Sequence, residues 1–378
     1  MKITTLQIRN SFLGWDFKEI QFLNNLTLLV GVSGVGKTQI LRSINDLQDI
    51  SKGKSINGFE WKITFDTILG KNFIWEGAFE VIQSKDKSFE FDGVDENKAE
   101  PIVLFEKLTF GDEIIINRDK DEIRFKGSIM PKLSSTQSMI YTLKEEDSIK
   151  DVHDAFQKIL FKDHTKKEGG HISLLRTSSI SELKKRYETL EDIKNSNEPI
   201  RIKLFLSSEK KLNVFKLVKN RFLDVFPQVQ DIKIEQIEGT DFPLILIDKT
   251  TPIISIKEKG VSKWIREDRM SSGMLRTIVH ISELFLSNDG SVILIDEFEN
   301  SLGVNCIDIL TDDLIHENKN LQFIATSHHP YIINNIPYEY WKIVKREGGH
   351  IQVRDAYDYN LGKSKQDAFI QLTKILEK

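Results

Sequence analysis

No other eight residues constrain this chain as much as Gly31-Val32-Ser33-Gly34-Val35-Gly36-Lys37-Thr38. They fit the pattern G-x-x-x-x-G-K-[ST]. Leu26 to Val30 before them is a short continuous apolar run bounded by Asn25 and Gly31, which reads as a buried strand. After them, Ile40, Leu41, Ile44 and Leu47 recur at helix spacing. Glycines let such a loop wrap closely around phosphate, so that backbone N–H groups point at its oxygens. Lys37 brings positive charge to the β- and γ-phosphates, and Thr38 offers its hydroxyl to Mg²⁺. The candidate nucleotide-binding residues are Gly31, Ser33, Gly34, Val35, Gly36, Lys37, Thr38 and Gln39. A chance glycine-rich turn has no reason to come with strand, Lys-Thr and helix in this order.

A second pattern is Ser291-Val292-Ile293-Leu294-Ile295-Asp296-Glu297. Four apolar residues ending in an acidic pair describe a buried strand that delivers carboxylates to its C-terminal end, where open α/β sheets bind ligands. Asp296 is expected to hold Mg²⁺ or its water, and Glu297 to polarise the attacking water. Many buried strands end in Asp-Glu at a turn. Downstream of a phosphate-binding loop, the pattern becomes the second half of a nucleotide site.

The third pattern is Arg269-Met270-Ser271-Ser272-Gly273-Met274-Leu275-Arg276, ahead of a helical run with Ile278, Ile281, Leu284 and Phe285. Read alone, Ser271-Ser272-Gly273 is a helix N-cap. Its backbone amides and helix dipole would also suit an anion. The fourth is Leu321-Gln322-Phe323-Ile324-Ala325-Thr326-Ser327-His328-His329-Pro330, a buried strand with a polar tip. A tandem His is a poor metal pair, because adjacent strand residues face opposite ways. The better reading is one imidazole reaching the γ-phosphate, with His328 chosen over His329. Gln137, where the β-rich stretch hands over to a helical one, is either a third Mg²⁺-contacting group or a solvated loop residue.

The chain has 378 residues, 39% hydrophobic and 29% charged, which suffices for a large core and an added lobe. Its net charge of −4 does not point to DNA, although 53 Lys and Arg leave room for a local basic patch. The single cysteine, Cys306, gives no disulfide framework and fits a reducing compartment. No stretch approaches the roughly 20 apolar residues of a membrane span. The first ten residues lack the apolar core of a signal peptide, so the expectation is cytoplasmic.

Residues 3–8 alternate as a strand does. Residues 61–65, 73–81, 88–91, 102–110, 113–117 and 122–125 are short, aromatic or β-branched runs that suggest antiparallel β structure. The spacing predicts helices over roughly 137–226, with polar breaks at 163–170 and 195–199. Within it Ile180, Leu183, Tyr187 and Leu190 make two heptads at most, so packed helices are expected in place of a free coiled coil. Leu212, Phe215, Val218 and Phe222 mark another amphipathic face. Strand signals return at 232–237, 244–247 and 253–256, and the last third alternates helix and apolar strand as a parallel sheet does.

In this order the four patterns resemble the ATPase domains of the SMC, RecF and OLD branch of the ABC superfamily. The specific part is Ser271-Ser272-Gly273, then Ile-Asp-Glu-Phe-Glu-Asn-Ser-Leu, then Ala-Thr-Ser-His-His-Pro, which is most similar to the OLD-type ATPases of bacterial anti-phage systems. The resemblance implies an α/β fold, a P-loop ABC-ATPase head with a two-lobed mixed sheet, an antiparallel β subdomain and a helical insertion. Residues 1–135 and 230–378 would form the head, and 136–229 the insertion. It implies ATP and Mg²⁺ as cofactors, with Thr38, Asp296 and Gln137 toward the metal and Lys37, Glu297 and His328 toward the chemistry. Ser271, Ser272 and Gly273 would form a signature loop that completes the ATP site of a second copy, in a homodimer or higher oligomer. The segment 299–303 would lie at that seam, and Asp308, Asp312 and Asp313 on a solvated helix face.

Departures from the family matter too. About 48 residues follow Pro330, too few for the nuclease domain of OLD proteins, and no long coiled coil divides the chain as in SMC proteins. What remains resembles the stand-alone ATPase subunits of the PARIS and Septu defence systems. That implies a separately encoded effector and a phage-derived trigger. A RecF-like DNA-repair ATPase is the alternative. An ABC transporter subunit ranks lower, because the signature lacks Gly-Gly-Gln.

Overall fold

The computed structural model describes residues 1–83, 100–162, 180–236, 252–299, 320–359 and 371–372. The expected strands at 88–91 and 244–247 lie outside them, as do the break at 163–170, residues 300–303, Cys306, Asp308, Asp312 and Asp313. The chain opens with β1 (Lys2–Asn10), β2 (Trp15–Gln21), β3 (Leu26–Val30) and α1 (Lys37–Ser51). There follow β4 (Phe59–Asp66), β5 (Asn72–Phe79), β6 (Val103–Phe110), β7 (Glu113–Arg118), β8 (Ile123–Phe125) and β9 (Ser128–Ile129). Then come α2 (Met139–Thr142), α3 (Asp147–Gln157), β10 (Ile159–Lys162), α4 (Ile180–Arg186), α5 (Leu190–Asn195), α6 (Ile200–Glu209) and α7 (Asn213–Val225). The remainder is β11 (Val229–Glu235), β12 (Ile253–Glu258), β13 (Ile265–Arg266), α8 (Ser272–Leu286), β14 (Val292–Ile295), β15 (Gln322–Ser327), α9 (Pro330–Asn335), β16 (Trp341–Glu347) and β17 (His350–Asp355).

Two compact units share these elements. The first comprises Met1–Asp163, Gly290–Phe298 and Asn318–Lys378; the second comprises His164–Asp289 and Glu299–Glu317. The first unit holds one mixed sheet, in the order β10-β14-β15-β3-β16-β17-β2-β1-β4-β5-β6-β7-β8-β9 among the described residues. From β10 to β16 neighbours run parallel. From β2 outward to β9 every pairing is antiparallel. The α/β class with a parallel core and an antiparallel extension is thus present in one sheet.

Burial follows the strand patterns. In β3 and β14 every residue is buried, as the parallel core of an α/β sheet requires. In β4 Phe59, Trp61, Ile63 and Phe65 turn inward while Glu60 and Lys62 face out. The inward rings meet others edge to face: Trp61–Trp75 at 5.1 Å, Trp75–Phe156 at 5.0 Å and Phe65–Phe156 at 5.1 Å between centroids. Helix α1 packs Ile40, Leu41, Ile44, Leu47 and Ile50 into the same core.

One stretch expected to be helical is otherwise. Within 137–226, residues 159–162 form β10, which lies parallel to β14 with Ile159 opposite Val292. Gln48 Nε2 of α1 secures its entrance by donating to Phe156 O (2.9 Å) and Ile159 O (2.8 Å). Four residues are too short to display a period, so the pairing partner decides.

The second unit consists of α4 to α8 with an antiparallel sheet in the order β11-β12-β13. The spacing Ile180, Leu183, Tyr187, Leu190 does not belong to one helix. The chain breaks after Arg186, and Thr189 caps α5 in a capping box with Asp192. The buried face of α7 is Val214, Val218, Phe222 and Val225, with Leu212 at its N-cap.

Candidate functional site

The site begins where β3 ends. Gly36, at φ 102°, occupies the N-cap position of α1, and no side chain caps that helix or places an acid in its first turn. The positive end of the helix dipole is therefore left to an anion. A Cβ on Gly36 would stand 2.4 Å from Ile351 Cδ1, and one on Gly31 would stand 2.7 Å from Val344 O. Gly31 is required by the backbone that packs behind the loop, and Gly36 by its own left-handed φ. Lys37 is buried, and its Nζ donates to Gly31 O (2.7 Å) and Val32 O (2.9 Å). Its charge is thereby held inside the curve of the loop.

Strand β15 lies between β3 and β14, so the loop and the acidic pair reach the same end of the sheet two strands apart. Thr38 Oγ1 donates to Asp296 Oδ1 at 3.0 Å, across 258 residues of sequence. The same Oδ1 accepts from Thr326 Oγ1 at 2.7 Å. Thr326 Oγ1 in turn accepts from the amide of Glu297 at 2.8 Å. Asp296 is buried, whereas Glu297 is exposed and left-handed at φ 49°. A hydroxyl beside a carboxylate is a set of hard oxygen donors, which suits Mg²⁺ bound together with phosphate.

His328 and His329 both lie exposed beyond the tip of β15, and the His329 amide donates to Ser327 Oγ at 3.1 Å. Gln137 is half-buried just before Ser138, the N-cap of α2, and its carbonyl accepts from Arg118 Nη1 at 2.8 Å. In the second unit Ser271 is the N-cap of α8, its side chain accepting from Met274 N at 3.3 Å. Ser271 and Ser272 are exposed, and Gly273 O accepts from Thr277 Oγ1 at 2.8 Å. Within the single chain these residues do the work of a helix cap. Val35 and Gln39 are half-buried, while Ser33 and Gly34 are exposed.

Sequence reasoning passed over Thr326. It stands inside the quoted Ala-Thr-Ser-His run, and nothing local distinguishes its hydroxyl from any other threonine at a strand end.

A model of a protein family described as "AAA domain, putative AbiEii toxin, Type IV TA system" matches residues 26–334. No curated protein matches the sequence. Among solved structures, the chain is similar to an Smc head bound to the C-winged helix domain of ScpA. The TM-score is 0.49 and the identity 15%, covering 94% of this chain and 97% of that one. It is similar to the Smc head domain with an extended coiled coil bound to the C-terminal domain of ScpA derived from Pyrococcus furiosus (TM-score 0.45, 16% identity, 99% of each chain). A third is the SMC head domain from Thermotoga maritima (TM-score 0.42, 14% identity, 94% of this chain and 99% of that one). No helix among the described residues is long and apolar enough to cross a membrane.

Proposed function

The chain belongs to this family of AAA domains, and on that premise we propose an ABC-type ATPase that closes two composite ATP sites by pairing head to tail. The observation that carries the proposal is the hydrogen bond from Thr38 to Asp296, which ties the phosphate-binding loop to the acidic strand. In this reading the loop amides and Lys37 bind the phosphates, and Thr38, Asp296 and Gln137 would hold Mg²⁺. The ion would neutralise charge on the phosphate oxygens. Glu297 orients the attacking water and takes its proton, and His328 senses the γ-phosphate. Ser271, Ser272 and Gly273 of a second copy present the amides of their helix to the same nucleotide.

We further propose that the assembly controls a separate effector in anti-phage defence and answers to a phage product. Support comes from the Ser-Ser-Gly, Asp-Glu-Phe-Glu-Asn-Ser-Leu and Thr-Ser-His-His-Pro wording and from a family described by a toxin of a TA system. That description favours a defence setting over a repair clamp, so the RecF-like alternative is not taken up.

The experiment is the mass in solution of Glu297→Gln with and without ATP and Mg²⁺, beside Lys37→Ala. A nucleotide-dependent shift to dimer or larger, absent in Lys37→Ala, is the expected outcome. A monomer under all conditions would remove the trans role of Ser271 and Gly273.

A further inference from the structure

We propose that Thr326 is a positioning residue: from the neighbouring strand it sets both the carboxylate of Asp296 and the backbone of Glu297. The inference rests on the hydrolytic role proposed for that acidic pair.

The β14–β15 ladder ends at the pair Ile295–Ala325. One residue later Thr326 bonds the three consecutive residues that follow β14. Its hydroxyl donates to Asp296 Oδ1 (2.7 Å) and accepts from Glu297 N (2.8 Å), and its carbonyl accepts from Phe298 N (3.0 Å). A hydroxyl has one proton to give and lone pairs to receive, so both its contacts are met in a single orientation. Thr326 and Phe298 are buried.

Between them Glu297 takes φ 49°, one of three left-handed residues other than glycine among the described residues. An L side chain adopts that conformation only when its surroundings impose it. Here the amides of Glu297 and Phe298 are both held by Thr326, so the turn that exposes Glu297 is maintained from outside its own strand. Asp296 Oδ1 also receives Thr38 Oγ1. Were the Thr38 hydroxyl to turn to a cation, the Thr326 hydroxyl would remain on the carboxylate. In this reading Thr326 acts through its neighbours, holding the carboxylate of Asp296 and the backbone of Glu297.

The test compares the full chain with Thr326→Val, which keeps the shape and removes the hydroxyl, and Thr326→Ser, which restores it. Hydrogen exchange at the Glu297 amide reads the contact without any turnover. In Thr326→Val that amide should exchange about tenfold faster, the loss of one ordinary hydrogen bond, with the Ser variant close to wild type. The same substitution should lower kcat about tenfold or more and leave KM for ATP within about threefold, with Ser restoring kcat. The Mg²⁺ concentration that supports half-maximal ATP binding should rise in the Val variant alone.

Unchanged exchange at Glu297 in Thr326→Val, or a Ser variant as impaired as Val, would overturn the proposal. A wild-type protein that binds ATP without hydrolysing it would sink the proposed function instead. Positioning would then be judged by exchange and by the Mg²⁺ requirement. Should the Val variant fail to fold, Thr326→Ala against Thr326→Ser carries the same comparison.

Discussion

Glu106 and Arg118 stand opposite each other in the β6–β7 ladder, and together they hold the turn that carries Gln137. Glu106 is fully buried; it accepts from Trp75 Nε1 (3.0 Å), Ser138 Oγ (2.6 Å) and the Met139 amide (2.7 Å). Arg118 donates to Ser134 O (2.7 Å) and Gln137 O (2.8 Å). Burial pushes the Glu106 carboxyl up, and the Met139 amide, Ser138, Trp75 and Arg118 pull it back. Arg118→Leu would leave that carboxylate without its cation and two carbonyls without donors. The expected cost is about 2–6 kcal/mol in urea unfolding, about 1–3 kcal/mol for each orphaned carbonyl, against about 1–2 kcal/mol for Glu106→Gln, which keeps an acceptor. An Arg118→Leu protein as stable as wild type would mean that the turn holds itself.

Gly36 and Gly34 separate strain from crowding in the phosphate-binding loop. Both have positive φ, but a Cβ at Gly34 meets nothing within 4 Å, whereas one at Gly36 overlaps Ile351. Gly34→Ala should cost about 1–2 kcal/mol of backbone strain. Gly36→Ala should add about 1–3 kcal/mol of overpacking and abolish nucleotide binding. Thermal unfolding and titration with a fluorescent ATP analogue would check both.

Gln322 lies fully buried at the start of β15 and stitches three backbone groups. Its Oε1 accepts from Ile3 N (2.7 Å), and its Nε2 donates to Ile3 O (2.8 Å) and Leu23 O (2.9 Å). Gln322→Leu is nearly the same size and supplies no partner. A loss of about 3 kcal/mol or more is expected, since each orphaned buried group costs about 1–3 kcal/mol. Chemical denaturation of this variant beside Gln322→Glu would show whether the donors or the volume matter.

Lys203 in α6 is buried, with Nζ donating to Lys194 O (2.6 Å) and Asn288 Oδ1 (3.2 Å). Desolvation lowers its pKa from 10.5 to about 8, the largest cause, with Glu198 opposing and Lys194 assisting. Between pH 8 and 10.5 the unfolded chain therefore holds a proton that the folded chain has released. Stability from this group must rise with pH across that window, and the charged ammonium costs stability below it. Relative to Lys203→Met, the wild-type protein should gain stability from pH 8 to 10. A flat difference between the two unfolding curves would show that the amine stays hydrated.

The strand–loop–helix at residues 26–51 was legible because its signals are local. Glycines mark the loop, a continuous apolar run marks the strand, and a period near 3.6 marks the helix. The meander from β4 to β8 was legible for the same reason, each strand carrying its own alternation and turn residues. Strand β2 was missed: it begins at Trp15 and buries only Phe17 and Ile20, so little alternation announces it.

By itself, then, the sequence determined the strand, turn and helix of residues 26–51 and the strands of the β4–β8 meander, and which residue types stand at their ends. Only the tertiary structure decided which of those ends meet. That β10 joins β14, that β15 inserts between β3 and β14, and that Thr326 bonds both Asp296 and Glu297 are facts of pairing. So is the approach of Thr38 to Asp296 across 258 residues. Pairing is settled by the burial of whole faces and the satisfaction of backbone groups over the entire sheet, and no local window contains that sum.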